Sequence, residues 1–136
     1  MTYIINTREQ ITDKEWLAAL RSDKYKQCTE GAMMGYDEST GMCTYCAMAV
    51  LAKEIGFRDT DIKVGGYFND LFTNTIADEV YDLTNRDFFD MFPRGSIEDT
   101  IITYNDTDKK SFSEIADLIE LLFTTKRLYL SFPKIT

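Results

Sequence analysis

Residues 43–56 read CTYCAMAVLAKEIG, and the stretch Cys46 to Ala52 inside them carries no polar side chain. A helix lying on a surface keeps a polar face, so an apolar circumference sustained for over a turn and a half marks a helix enclosed by protein. Alanines outnumber β-branched residues here, which makes a buried strand the weaker reading. Gly56 supplies the C-terminal stop. The expectation is a central helix starting near Cys43, wrapped on all sides and chemically inert.

Working outward toward the N-terminus, Tyr25 to Met42 contains Gly31, Gly35 and Gly41, with Asp37-Glu38-Ser39-Thr40 between apolar residues. That composition predicts a short hairpin or irregular loop. Thr12-Asp13-Lys14-Glu15 has the capping-box pattern, and Trp16, Leu17 and Leu20 then give a helical face ending near Ser22. On the other side, Val64-Gly65-Gly66-Tyr67 predicts a turn. Asn74 or Thr75 can cap a helix bearing Ile76, Val80 and Leu83, and Thr84 or Asn85 can start one bearing Phe88, Phe89 and Phe92 before Pro93 stops it. Ser96 to Asp99 opens a short helix through Ile101 and Ile102. Ser111 and Glu114 form a second capping box, followed by Phe112, Ile115, Ala116, Ile119, Leu122 and Phe123 at three-and-four spacing. The tail from Leu128 to Phe132 alternates like a strand, with Pro133 suited to an edge or an end. The fold expected is mainly α: a compact single domain over residues 1–136 around a buried central helix, with a short β-hairpin or small sheet.

A chain of 136 residues, 44% apolar and 13% aromatic, can bury one core and has too little Pro and Gly for a linker-rich protein. Its formal charge of −8 argues against direct binding to a nucleic-acid backbone, where Lys and Arg supply the affinity. With no histidine, mechanisms that need an imidazole are excluded. Three cysteines do not make a disulfide scaffold, and MTYIINTREQ lacks the layout of a signal peptide, so a reducing cytoplasm is expected. The longest apolar run, Tyr45 to Ala52, is far short of the roughly 20 residues that cross a bilayer, so no membrane partner is expected. Residues 59–108 hold 12 acidic and 3 basic residues, a concentration that would form one negative face if the side chains point the same way.

Candidate chemistry is sparse. Cys43-x-x-Cys46 has the spacing of a redox or zinc motif, but the first needs a preceding strand in a βαβ context and the second needs four ligands. Packing cysteines are the favoured reading, with redox, zinc and an acyl-transfer nucleophile as alternatives. Asn105-Asp106-Thr107-Asp108 begins like a calcium loop, yet Ser111 stands where glycine is required and Asp117 where the bidentate Glu belongs. A turn that ends one helix before Ser111 caps the next is the simpler account. Gly65-Gly66 fits no phosphate-loop pattern. Tyr25, Lys26 and Gln27 offer a phenol, an ammonium and an amide in succession, and with Asn105 they are the candidate ligand contacts. No catalytic residue, metal ligand or cofactor is assigned.

Three segments resemble, in order, a family of small proteins found mainly in bacteriophages and prophages. They are Trp16 to Gln27 (WLAALRSDKYKQ), Tyr45 to Leu51 (YCAMAVL) and Tyr104 to Glu120 (YNDTDKKSFSEIADLIE). The family patterns are W-x-x-A-L-R-S-x-x-Y-x-Q, a C-C-L-G-V-L-like helix and L-N-D…S-F-x-E-I-A-D-x-I-E. Here Tyr45 replaces the first family cysteine, Ala49 its glycine and Tyr104 an aliphatic residue. The resemblance implies a mostly helical phage accessory protein and carries no activity, substrate or cofactor with it. The function expected is therefore binding in the host cytoplasm, as an inhibitor or counter-defence factor docking on a host protein, or as a protein sequestering a small signalling molecule. An acidic nucleic-acid mimic and a cysteine-dependent enzyme or metal protein using Cys43 and Cys46 are the alternatives. Self-association through Phe88, Phe89 and Phe92 is a further expectation.

Overall fold

A computed structural model describes residues 5–29, 31, 33–64, 97–127 and 131–135, and among these the protein is mainly α-helical with short antiparallel strand pairs. Strand β1 (Ile5–Thr12) leads directly into helix α1 (Asp13–Arg21). The hairpin β2 (Met34–Asp37) and β3 (Met42–Tyr45) precedes the central helix α2 (Ala47–Ile55) and the short α3 (Asp59–Val64). Helix α4 (Ile97–Ile102) runs on into a π-helical turn at Thr103–Thr107; α5 (Phe112–Lys126) and β4 (Ser131–Ile135) follow.

The central helix is enclosed as its composition predicts. Ala47, Ala49, Val50, Leu51 and Ala52 are all 0% exposed. Helix α1 lays Trp16, Leu17 and Leu20 against it, and the Trp16 indole N–H donates to the Ala47 carbonyl at 3.0 Å. Phe123 of α5 meets the Trp16 ring edge-on at 6.3 Å, so α1, α2 and α5 share one hydrophobic cluster. Both capping boxes form, Thr12 with Glu15 and Ser111 with Glu114. Each satisfies two amide donors that would otherwise be left over at a helix start. Arg21 ties α1 to α5 through Asp117 at 2.8 Å and Glu120 at 2.5 Å.

The start of α2 differs from the expectation. Cys43 to Tyr45 belong to β3, and the helix begins only at Ala47, because two neighbours claim this backbone. Strand β2 pairs with it from Met34↔Tyr45 to Asp37↔Met42, and on the other side Gln27 forms a parallel bridge to Tyr45. The amides of Cys28 and Tyr45 close that bridge at 2.8 Å each, onto Tyr45 O and Lys26 O. Gly35 allows the close packing: a Cβ there would sit 2.8 Å from Thr44 Oγ1 and 3.1 Å from Cys28 Sγ.

Strand β1 has no counterpart in the sequence reading. It pairs antiparallel with β4 from Ile5↔Ile135 to Thr12↔Ser131, with a register shift between Asn6 and Gln10. Residues 128–130 of the tail strand expected over 128–132 lie outside the described residues; the described strand, from Ser131, continues through Pro133, which is tolerated because it opposes Gln10 beside the shift in a two-stranded sheet. Strand β4 also seals the end of α2. Gly56 there has φ +122, and a Cβ on it would lie 1.9 Å from the Ile135 carbonyl oxygen.

Of the turn expected at Val64–Tyr67, Val64 ends α3 and the rest lies outside the described residues, as do the helices expected between 74 and 93, Phe88, Phe89 and Phe92, and most of the acidic 59–108 segment. Among the described residues, no helix is long and apolar enough to cross a membrane.

Candidate functional site

The segment after α1, the hairpin, the C-terminal half of α2 and the start of α3 border a cleft of about 460 Å³ lined by Lys24, Tyr25, Lys26, Met42, Cys43, Tyr45, Lys53 and Asp59. Tyr25 follows the α1 C-cap and Tyr45 ends β3. The backbone bonds between residues 26–28 and Tyr45 bring the two rings together, edge to face at 5.4 Å.

Each ring carries the same set of partners. Tyr25 donates its hydroxyl to Glu54 Oε2 at 2.5 Å, Lys24 Nζ bonds that oxygen at 2.9 Å, and the same ammonium lies 5.3 Å from the Tyr25 ring centroid. Tyr45 donates to Asp59 at 3.1 Å, Lys53 Nζ pairs with Asp59 at 2.9 Å, and the Lys53 ammonium lies 6.0 Å from the Tyr45 ring centroid. Lys53 and Glu54 are consecutive on α2, so one helix turn serves both sets.

The electrostatics follow from this arrangement. Burial, reinforced by the Glu54 carboxylate, raises the Tyr25 hydroxyl pKa well above that of a free phenol, and burial with Asp59 does the same for Tyr45. Both hydroxyls therefore stay protonated donors. Burial works against the charged form of Asp59, but the bonds from Lys53 and Tyr45 outweigh it and hold its pKa below the usual range. Lys26 pairs with Asp37 on the hairpin and, with the Ser39 hydroxyl, holds that carboxyl low as well.

The four sequence candidates separate into three places. Tyr25 and Lys26 line the cleft. Gln27 and Lys26 line an adjoining cavity of about 260 Å³ bounded by Cys28, Thr29, Tyr36, Asp37, Glu38 and Thr44. Asn105 is fully buried, and its amide is occupied by the protein. Its Oδ1 accepts from Gln27 Nε2 at 3.0 Å and from the Ala47 amide at 3.3 Å, while Nδ2 donates to the Cys28 carbonyl at 2.6 Å and to Asp106 at 2.7 Å. The expected turn at this position is a π-helical one, which turns the Asn105 side chain into the core. There it caps α2, whose own N-cap residue, Cys46, makes no side-chain capping bond.

Lys24, Tyr45, Lys53, Glu54 and Asp59 were not anticipated. The only local signal was the adjacency of Lys24 to Tyr25 and of Lys53 to Glu54, since the pairing of the two sets is made by tertiary contacts. Cys43 is half-buried on the cleft wall. Cys46 is buried at the start of α2, and burial pushes its thiol up to about 12. Among the described residues, no group of three or more Cys, Asp or Glu is placed to hold a metal ion. No family model matches the chain, and neither a curated protein nor a solved structure matches it.

Proposed function

We propose that the protein acts by binding rather than by catalysis, as a phage accessory factor in the host cytoplasm. It either docks on a host protein to inhibit it or holds a small signalling molecule in the Tyr25–Tyr45 cleft. The observation that carries this reading is the resting chemistry of the cleft. Its phenols are protonated donors, and its lysines and carboxylates are mutually neutralised. Such groups suit recognition, whereas general acid–base or nucleophilic work calls for a group poised to change state near neutral pH. The buried, poorly ionised thiol of Cys46 supports the same view.

Native mass spectrometry of the protein recovered from host cells tests the reading. The expected result is a carried ligand or one stoichiometric partner, retained by the wild type and lost with Tyr25→Ala. Turnover of a nucleotide or peptide by the purified protein, abolished by Cys43→Ser or Asp59→Asn, would overturn it.

A further inference from the structure

We infer that the Tyr25–Tyr45 cleft takes a small anion built on a flat ring, a nucleoside monophosphate being the simplest probe of that class. The inference rests on the binding reading above and adds the ligand chemistry to it. Three features of the cleft point to it.

First, lysines dominate the cleft wall: Lys24, Lys26 and Lys53 line it against one lining carboxylate, Asp59. At two of the ion pairs the ammonium is also the outer partner, Lys24 being 60% exposed over a Glu54 at 17% and Lys26 42% over an Asp37 at 23%, while at the third the order is reversed, Lys53 at 25% and Asp59 at 36%. A molecule arriving from solvent meets the Lys24 and Lys26 ammonium groups ahead of their carboxylates.

Second, the carboxylates do not depend on the lysines alone. Glu54 and Asp59 each keep a phenolic donor, so either ammonium can swing away without leaving a half-buried carboxylate bare. Breaking an ion pair by removing one partner is normally costly because the other is left uncompensated; the second donor lowers that cost.

Third, each lysine stands over the ring of its own set. When it turns to a ligand anion it uncovers the ring face, so charge neutralisation and ring stacking become available in the same movement. The volume, about 460 Å³, falls in the range of pockets that hold small cofactors.

Isothermal titration of the full chain with adenosine monophosphate, adenosine and inorganic phosphate tests the inference. The nucleotide is expected to bind at least about tenfold more tightly than either part, and Lys24→Gln with Lys53→Gln to weaken it by about tenfold or more. Tyr25→Phe keeps the ring but removes the second donor to Glu54; it is expected to weaken nucleotide binding several-fold by locking Lys24 in place, with circular dichroism unchanged. Equal affinity for phosphate and nucleotide, or nucleotide binding indifferent to the lysine changes, would overturn the inference. So would the absence of nucleotide binding. In that last case a carried ligand or partner in the native mass spectrum would still uphold the binding reading, so the two failures are distinct.

Discussion

The side-chain carbonyl of Asn105 accepts the first amide of α2, Ala47 N–H, at 3.3 Å across 58 residues of sequence. The same side chain holds the Cys28 carbonyl and Gln27, so one buried amide joins the π-turn, the helix start and the bridging segment that follows Tyr25 and Lys26. Asn105→Leu keeps the volume but leaves those groups unpaired in a dry environment. A loss of about 3 kcal/mol is expected, read as a lower urea midpoint at unchanged slope.

Gly56 and Gly31 form a matched pair of tests. Both have positive φ, but a Cβ at Gly31 meets nothing within 4 Å, whereas one at Gly56 meets the Ile135 carbonyl oxygen at 1.9 Å. Gly31→Ala is expected to destabilise by about 1 kcal/mol from backbone strain alone, and Gly56→Ala by more than about 2 kcal/mol. Equal thermal shifts for the two would show that β4 does not press on the end of α2.

Alkaline titration reports on the cleft. Tyr25 and Tyr45 have folded-state pKa values raised above the ordinary 10.0 by burial and by their carboxylate partners. Between the unfolded and folded values the native state binds more protons. Their contribution is therefore complete below pH 10.0 and declines as pH rises through the folded values. The phenolate absorbance that Tyr25→Phe and Tyr45→Phe remove is expected to develop only as the fold opens.

The acid limb has the opposite sign. The Thr12 hydroxyl bond lowers the pKa of Glu15, the Ser111 backbone bond lowers that of Glu114, and the Lys26 bond lowers that of Asp37. Here the unfolded state binds more protons, so stability is complete above the ordinary 4.5 of Glu and 3.8 of Asp and falls as pH drops through the folded values. Glu114→Gln is expected to flatten the fall of the urea midpoint between about pH 5 and about pH 3. An unchanged profile would mean that the capping box contributes nothing through charge.

Thiol reactivity should rank the cysteines by burial. Cys43 is half-buried on the cleft wall, while Cys28 and Cys46 are each 4% exposed and the Cys46 thiol is pushed up to about 12. Iodoacetamide at about pH 8 is expected to label Cys43 first and Cys46 only on unfolding, as located by peptide mass spectrometry. Prompt labelling of Cys46 would instead show a reactive thiol at the start of α2.

What could be read from the sequence was what local interactions decide. The capping boxes at Thr12 and Ser111, the amphipathic face of α5 and the enclosed circumference of α2 each depend on residues a few positions apart. Cys43 to Tyr45 read as helix because a short apolar run suits either structure, and only the distant partners β2 and Gln27 select the strand. β1 was invisible for the same reason: its partner, β4, lies at the far end of the sequence. In the cleft, Tyr25 and Lys26 stood out as polar groups beside a helix end. Their meaning comes from Glu54, Tyr45 and Asp59, which the fold delivers from elsewhere. Asn105 carried a turn signal in sequence, while its actual task, capping a helix it does not belong to, is a tertiary one.

The ribbon made by β1 and β4 reaches into the core. Ile135, 1% exposed, lies over the tail of α2 and is held there by its pairing with Ile5. Proteolytic trimming of a few residues from the β4 side would therefore act deep inside the molecule rather than at its rim.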